Sequence, residues 1–246
     1  MWRQDFLDHV TANGQFDRQQ SFPPEIRMSF LSTSVPPLRI VISAMEKITG
    51  SPLEKVLCSA TPLDAFASYL AATAHIIRAS TDLMKCAADL LYTHSISNRL
   101  HTYFLDHVQE EYEHYDWILK DLSRLDCDTS LMLSQTRTHE VTAVPGIGYY
   151  YIRNINPICV VGYIAVMESS PPTDEVISRL QSATGACEDS FRTLRAHGTL
   201  DLDHADELFT LLGSLELSNT EKLNINEMAL RTLTSYSAAM ASVLDG

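Results

Sequence analysis

Two histidines and an aspartate, His197, Asp201 and His204, follow the pattern H-x-x-x-D-x-x-H. Steps of four and three residues keep side chains on one face of an α-helix. The stretch from Arg195 to Glu207 is therefore predicted to be helical. It would carry two imidazoles and a carboxylate on one stripe, a ready-made set of metal ligands.

The rest of the chain reads as helix as well. Residues 1–36 are polar and irregular, with Pro23-Pro24 and Pro36-Pro37 as turn or extended signals. Helices are predicted from Leu38 to Ile48, from Thr61 or Pro62 to about Tyr92, and from Ser97 to Leu125. The last has an apolar stripe of Leu100, Phe104, Val108, Tyr115, Ile118 and Leu122. A shorter helix and a loop follow over 127–142, and Val144-Pro145-Gly146-Ile147-Gly148 is expected to break the chain. Residues 149–168 read as a buried helix, with Pro157 either kinking it or marking its true start. Three further helices are expected over 173–185, 187–215 and 219–244. Only Val141–Tyr151 alternates weakly with period two, so the class is all-α. The expectation is one helical bundle of about seven helices over 37–246, preceded by the irregular segment 1–36.

Charge and cysteine usage narrow the function. The chain of 246 residues has 31 acidic and 18 basic side chains, a formal net charge of −13. Nucleic acid and anionic membrane surfaces both call for a basic face, so neither is an expected partner. Five cysteines, at 58, 86, 127, 159 and 187, show no C-x-x-C spacing, which favours reduced thiols. The apolar run Ile158–Met167 is about half a membrane span, and the N-terminus lacks a secretory pattern. A soluble, cytoplasmic protein is expected.

Two further pieces could complete a site with the triplet. Glu111 and His114 stand in the E-x-x-H spacing used by carboxylate-bridged dinuclear iron proteins built on helical bundles. Glu168 closes the apolar run Ile158–Met167, where a carboxylate is costly to bury unless paired or bound to a cation. Imidazole and carboxylate together suit iron or manganese, and the lack of a cysteine argues against structural zinc. Each piece also has a plainer reading: E-x-x-H as a solvated helix face, Glu168 as a helix-end carboxylate. The three in combination favour a site. His94, His101, His139 and His9 have no patterned partners, and no P-loop, G-x-S-x-G or G-x-G-x-x-G occurs.

These residues resemble the heme-oxygenase-like diiron oxidases and oxygenases, also described as iron-containing redox enzymes. Glu110-Glu111-Tyr112-Glu113-His114-Tyr115-Asp116-Trp117-Ile118-Leu119 resembles the family's first ligand helix. Gly162-Tyr163-Ile164-Ala165-Val166-Met167-Glu168 resembles its second, and the triplet helix its third. The resemblance covers about residues 60–240. It implies a heme-oxygenase-like fold, two Fe(II) ions and O2 as cosubstrate. One iron would be held by Glu111, His114 and His204, with Glu168 bridging or shared; the other would take His197 and Asp201, again with help from Glu168. His107, seven before His114, and Glu110, which the helical wheel does not separate from Glu111, remain substitutes. Tyr112, Tyr115 and Trp117 would flank the ligands. The implied chemistry is hydrogen abstraction, carbon–carbon cleavage, desaturation or N-oxygenation of a small carboxylate substrate, an amino acid or fatty acid, with an external electron donor and a homodimeric assembly. Arg153 and Asn154 are candidates for meeting the substrate carboxylate. Two rivals share the fold: a metal-free thiaminase-like protein with a cysteine nucleophile, and a heme-binding protein.

Overall fold

The computed structural model describes residues 35–91 and 97–245. The expected irregular segment 1–36 (His9 included) lies outside them apart from residues 35 and 36, and so does His94. The compact unit begins at Pro37. Among the described residues there is helix and no strand.

Helix α1 (Leu38–Thr49) stops at Gly50, whose φ of 72° lies in the left-handed region. After α2 (Pro52–Cys58) comes α3 (Pro62–Leu91), the thirty-residue spine of the bundle. Proline at the first helical position suits both starts, because its missing N–H has no intrahelical partner there. Next come α4 (Ser97–Glu111) and α5 (His114–Ser123). The single helix expected over 97–125 is thus two, parted at Tyr112 and Glu113. Neither residue is a breaker, so propensity offered nothing to read there.

The proline-glycine stretch at 144–148 corrects a second expectation. Instead of breaking the chain it lies inside α7 (His139–Asn154), which follows α6 (Thr129–Gln135). Packing of α7 against α3 and the C-terminal helix overrides the local preference. Thr138 caps α7 by accepting the Val141 N–H at 3.2 Å. The weak period-two stretch 141–151 is therefore helical too. Pro157 marks a true start: a short 3-10 turn (Pro157–Cys159) leads into α8 (Val160–Met167), where every residue up to Val166 is buried. A helix apolar on all sides belongs in a core.

Helix α9 (Asp174–Thr184) has Thr173 as N-cap and ends at Gly185. A 3-10 turn (Glu188–Phe191) leads into α10 (Arg192–Gly213), which carries the triplet. The last helix, α11 (Asn219–Leu244), opens with a reciprocal capping box between Ser218 and Glu221. α3 packs on α4, α5 and α7, while α11 packs on α7, α8 and α1. Among the described residues no helix is long and apolar enough to cross a membrane.

Candidate metal centre

Three stretches converge on one buried point. α4 supplies His107 and Glu111, one turn apart. The break at 112–113 lets α5 begin at His114 with its ring against Glu111, His114 Nδ1 lying 2.8 Å from Glu111 Oε2. Glu168 is the residue at which α8 ends. α10 delivers His197, Asp201 and His204. The start of α10 is pinned by Asp121 of α5, fully buried, whose carboxylate accepts the Thr193 N–H at 2.7 Å. That bond occupies one of the free N–H groups of the first helical turn. Asp121 went unread in the sequence; a lone carboxylate between Ile118 and Leu122 was the available signal.

The ligand atoms form two overlapping groups. His107, Glu111, Glu168 and His204 each offer one atom within 4.8 Å of the others, and Glu111, His114 and His197 do the same. His107 Nε2 and His204 Nδ1 each lie 3.4 Å from a different oxygen of Glu168. The rings of His107 and His204 meet edge to face at 4.6 Å, as do those of His114 and His197 at 4.8 Å. This grouping differs from the one the resemblance implies. The common member is Glu111, not Glu168, because Glu111 stands at the break between α4 and α5. His204 lies with His107 and Glu168 instead of with His114. Asp201 belongs to neither group; its Oδ1 is bonded to His197 Nδ1 at 2.6 Å, which leaves Nε2 of that ring aimed inward.

Burial also separates the alternatives left open by the helical wheel. Glu111 is buried, while the Glu110 side chain is 55% exposed and reaches only His204 Nε2, at 3.3 Å. His107 is 3% exposed and stacks on Tyr103. Trp117 covers His114, and Tyr112 points outward. His139 is exposed. Arg153 and Asn154 lie on α7, not on the Glu168 helix, and both are exposed; the Asn154 amide donates to the Tyr150 carbonyl.

Four buried ligand atoms have no hydrogen-bond partner: Glu111 Oε1, Glu168 Oε2, His197 Nε2 and His204 Nδ1. The ion-pair distances around them are close, yet the geometry makes no hydrogen bond. An unpaired buried polar atom costs about 1–3 kcal/mol. Four converging on one spot make a cluster that could hold a metal ion. A set of nitrogen and carboxylate-oxygen donors without sulfur suits iron or manganese.

Protonation follows from the same crowding. Burial alone would raise the Glu168 carboxyl, but His107 and His204 outweigh it and hold it down, to about 2. Glu168 in turn lifts His204 to about 9. Burial raises Asp201 to about 6 against the pull of His197. In the metal-free chain Glu168 contributes stability above its ordinary 4.5 and loses it as pH falls toward 2. His204 contributes below 6.5 and loses it as pH rises through 9. Asp201 costs stability as pH climbs from 3.8 to 6. Urea unfolding of chelated protein is thus expected to show greatest resistance at about pH 4 and to weaken on both sides. Iron loading should move the optimum upward, because a cation on His204 displaces its proton. A metal-free maximum above neutral pH would contradict the assignment.

A cavity of about 310 Å³ opens from the centre. Its walls include Ile76, Met84, Ile164, Val166, Leu233 and Met240, with Tyr69, Thr73 and Tyr236 on one side. Among the described lining residues there is no cysteine, and neither Arg153 nor Asn154 belongs to it.

No protein-family model matches the sequence, and no curated protein matches it either. Solved structures do. One is a domain of unknown function with a heme oxygenase-like fold from Shewanella denitrificans, with a TM-score of 0.72 and 17% identity over 92% of this chain and 94% of that one. Another is a TenA homolog from Pseudomonas syringae pv. tomato, with a TM-score of 0.59 and 11% identity over 87% and 94% of the two chains. At such identities the likeness speaks to architecture alone: the chain has a heme oxygenase-like, all-α fold.

Proposed function

We propose that the chain is a non-heme diiron, O2-activating oxidase or oxygenase. Its substrate would be a small carboxylate, an amino acid or fatty acid, and the reaction hydrogen abstraction, carbon–carbon cleavage, desaturation or N-oxygenation. The observation that carries this reading is the set of four unpartnered buried ligand atoms gathered about Glu111. His107, Glu111, Glu168 and His204 would hold one iron, and Glu111, His114 and His197 the other. Ferrous ions held there would supply electrons to dioxygen, and the oxidising equivalents for the substrate would come from the dioxygen so activated.

The chain's own part is positioning and exclusion of water. Asp201 orients the His197 ring through Nδ1, as carboxylates beside metal-bound imidazoles commonly do. Trp117 and Tyr103 fix the rings of His114 and His107 by stacking. The apolar walls admit a hydrocarbon portion and shed water. A thiaminase-like reaction would need a cysteine at the cavity, and Cys58 and Cys187 are exposed elsewhere.

The test is stopped-flow mixing of Fe(II)-loaded protein with oxygen across fatty and amino acids. A transient visible band and oxygen uptake are expected with one substrate class. His204→Ala and Glu168→Ala should lose both, and His139→Ala should keep them. A band surviving in the His204 variant would overturn the ligand set; a Soret band on adding hemin would favour heme binding.

A further inference from the structure

Trp117 of α5 joins a candidate ligand ring to the surface. Its indole lies against the His114 imidazole, with ring centroids 4.3 Å apart and planes tilted by 34°. His114 in turn meets His197 at 4.8 Å, so the rings lead from Trp117 into the group of Glu111, His114 and His197. Tyr103, the ring against His107, is 6% exposed, whereas Trp117 is half-buried. The exposed Arg192 guanidinium stands over the same indole, 5.3 Å from its centroid. Lys120 and Arg124, three and seven residues on, share the Trp117 face by helical spacing and are exposed. Glu113 is the exposed acid on that stripe; Asp121 is buried and held by Arg124 and the Thr193 N–H. Cations therefore gather around Trp117 in a chain whose formal net charge is −13.

We propose that this face receives an acidic one-electron carrier protein and that Trp117 is the bridge by which its electrons reach the centre. The role rests on the diiron reading, which supplies the acceptor, a ferric ion that His114 would hold. Each electron oxidises the carrier by one and reduces one ferric ion to ferrous, two electrons for the pair, and no bond of the protein forms or breaks. Electron transfer weakens steeply with the gap to be crossed, and a ring in contact with an imidazole shortens that gap. Trp117 stays a closed-shell bridge, because the Arg192 cation over its face opposes a positive charge on the indole. Lys120, Arg124 and Arg192 attract an acidic carrier where the overall charge of the chain repels it, and so decide where it lands.

The experiment takes the full chain, iron-loaded and air-oxidised, and mixes it anaerobically in stopped flow with reduced acidic iron–sulfur ferredoxin or with dithionite, a reductant small enough to enter the cavity. Trp117→Leu is expected to lose the fast ferredoxin phase and keep the dithionite one; Trp117→Phe, which retains a ring, should keep both. Arg192→Glu should slow ferredoxin about tenfold at low salt, and the difference should close as salt is raised. In a Trp2→Phe background Trp117 is the sole indole, and iron loading should quench its emission. No reduction of the unaltered chain by ferredoxin, equal ferredoxin rates with and without the Trp117 ring, an equal loss with dithionite, or unquenched emission overturns the inference. Iron content measured on the same samples tells the two failures apart. Iron-loaded chains with equal rates sink the bridge alone, whereas failure to take up iron sinks the diiron reading and the bridge with it.

Discussion

A Glu111→Ala chain is expected to lose both irons. Every other ligand belongs to one group of atoms, and Glu111 belongs to two. Removing it leaves His107, Glu168 and His204 on one side, with one carboxylate instead of two, and His114 with His197 on the other, with none. Mutating a residue that only supports a metal ligand typically costs 10- to 100-fold in affinity, so removing a shared ligand should cost about 100-fold or more at both sites. His114→Ala, by contrast, should keep the metal bound among His107, Glu111, Glu168 and His204. The check is iron per chain after anaerobic loading and desalting: two for the unaltered protein, near zero for Glu111→Ala and close to one for His114→Ala. Equal losses in the two variants would remove Glu111 from its shared role.

The other large effect concerns packing. Gly162 of α8 faces α11 so closely that a Cβ would lie 2.2 Å from the Ile225 carbonyl oxygen and 2.9 Å from the Ala229 nitrogen. Both are backbone atoms, which cannot turn aside as a side chain would. Gly162→Ala must therefore push two core helices apart, at a cost of about 3 kcal/mol or more. The melting temperature should fall by about 10 °C. Iron affinity should fall with it, because α8 ends at Glu168. Gly146→Ala is the control: it lies within α7 with nothing inside 4 Å of the added methyl, and helix propensity there favours alanine by about 1 kcal/mol. Circular-dichroism melts of both variants decide the matter; a Gly162→Ala chain melting like the unaltered one would refute the close approach.

Much was legible in the linear chain because it is local. Apolar residues at helical spacing, the proline start at 62, the cap at Thr173 and the stop at Gly185 all act within a turn or two, whereas the short helix Pro52–Cys58 was not expected. The same spacing rule put His197, Asp201 and His204 on one helix face. Long-range packing escaped it. Pro145 remained helical because α3 and α11 hold α7 from outside, and the α4–α5 break came without any breaker residue. The sequence by itself determined an all-helical chain and the residue types able to bind a cation. Only the tertiary structure decided that Glu111 is buried and common to two groups while Glu110 faces water, that His107 joins Glu168 and His204, and that Asp201 steadies an imidazole. The reason is geometric: neighbours one residue apart look alike on a wheel, and which of them is desolvated depends on helices packed against them from distant parts of the chain.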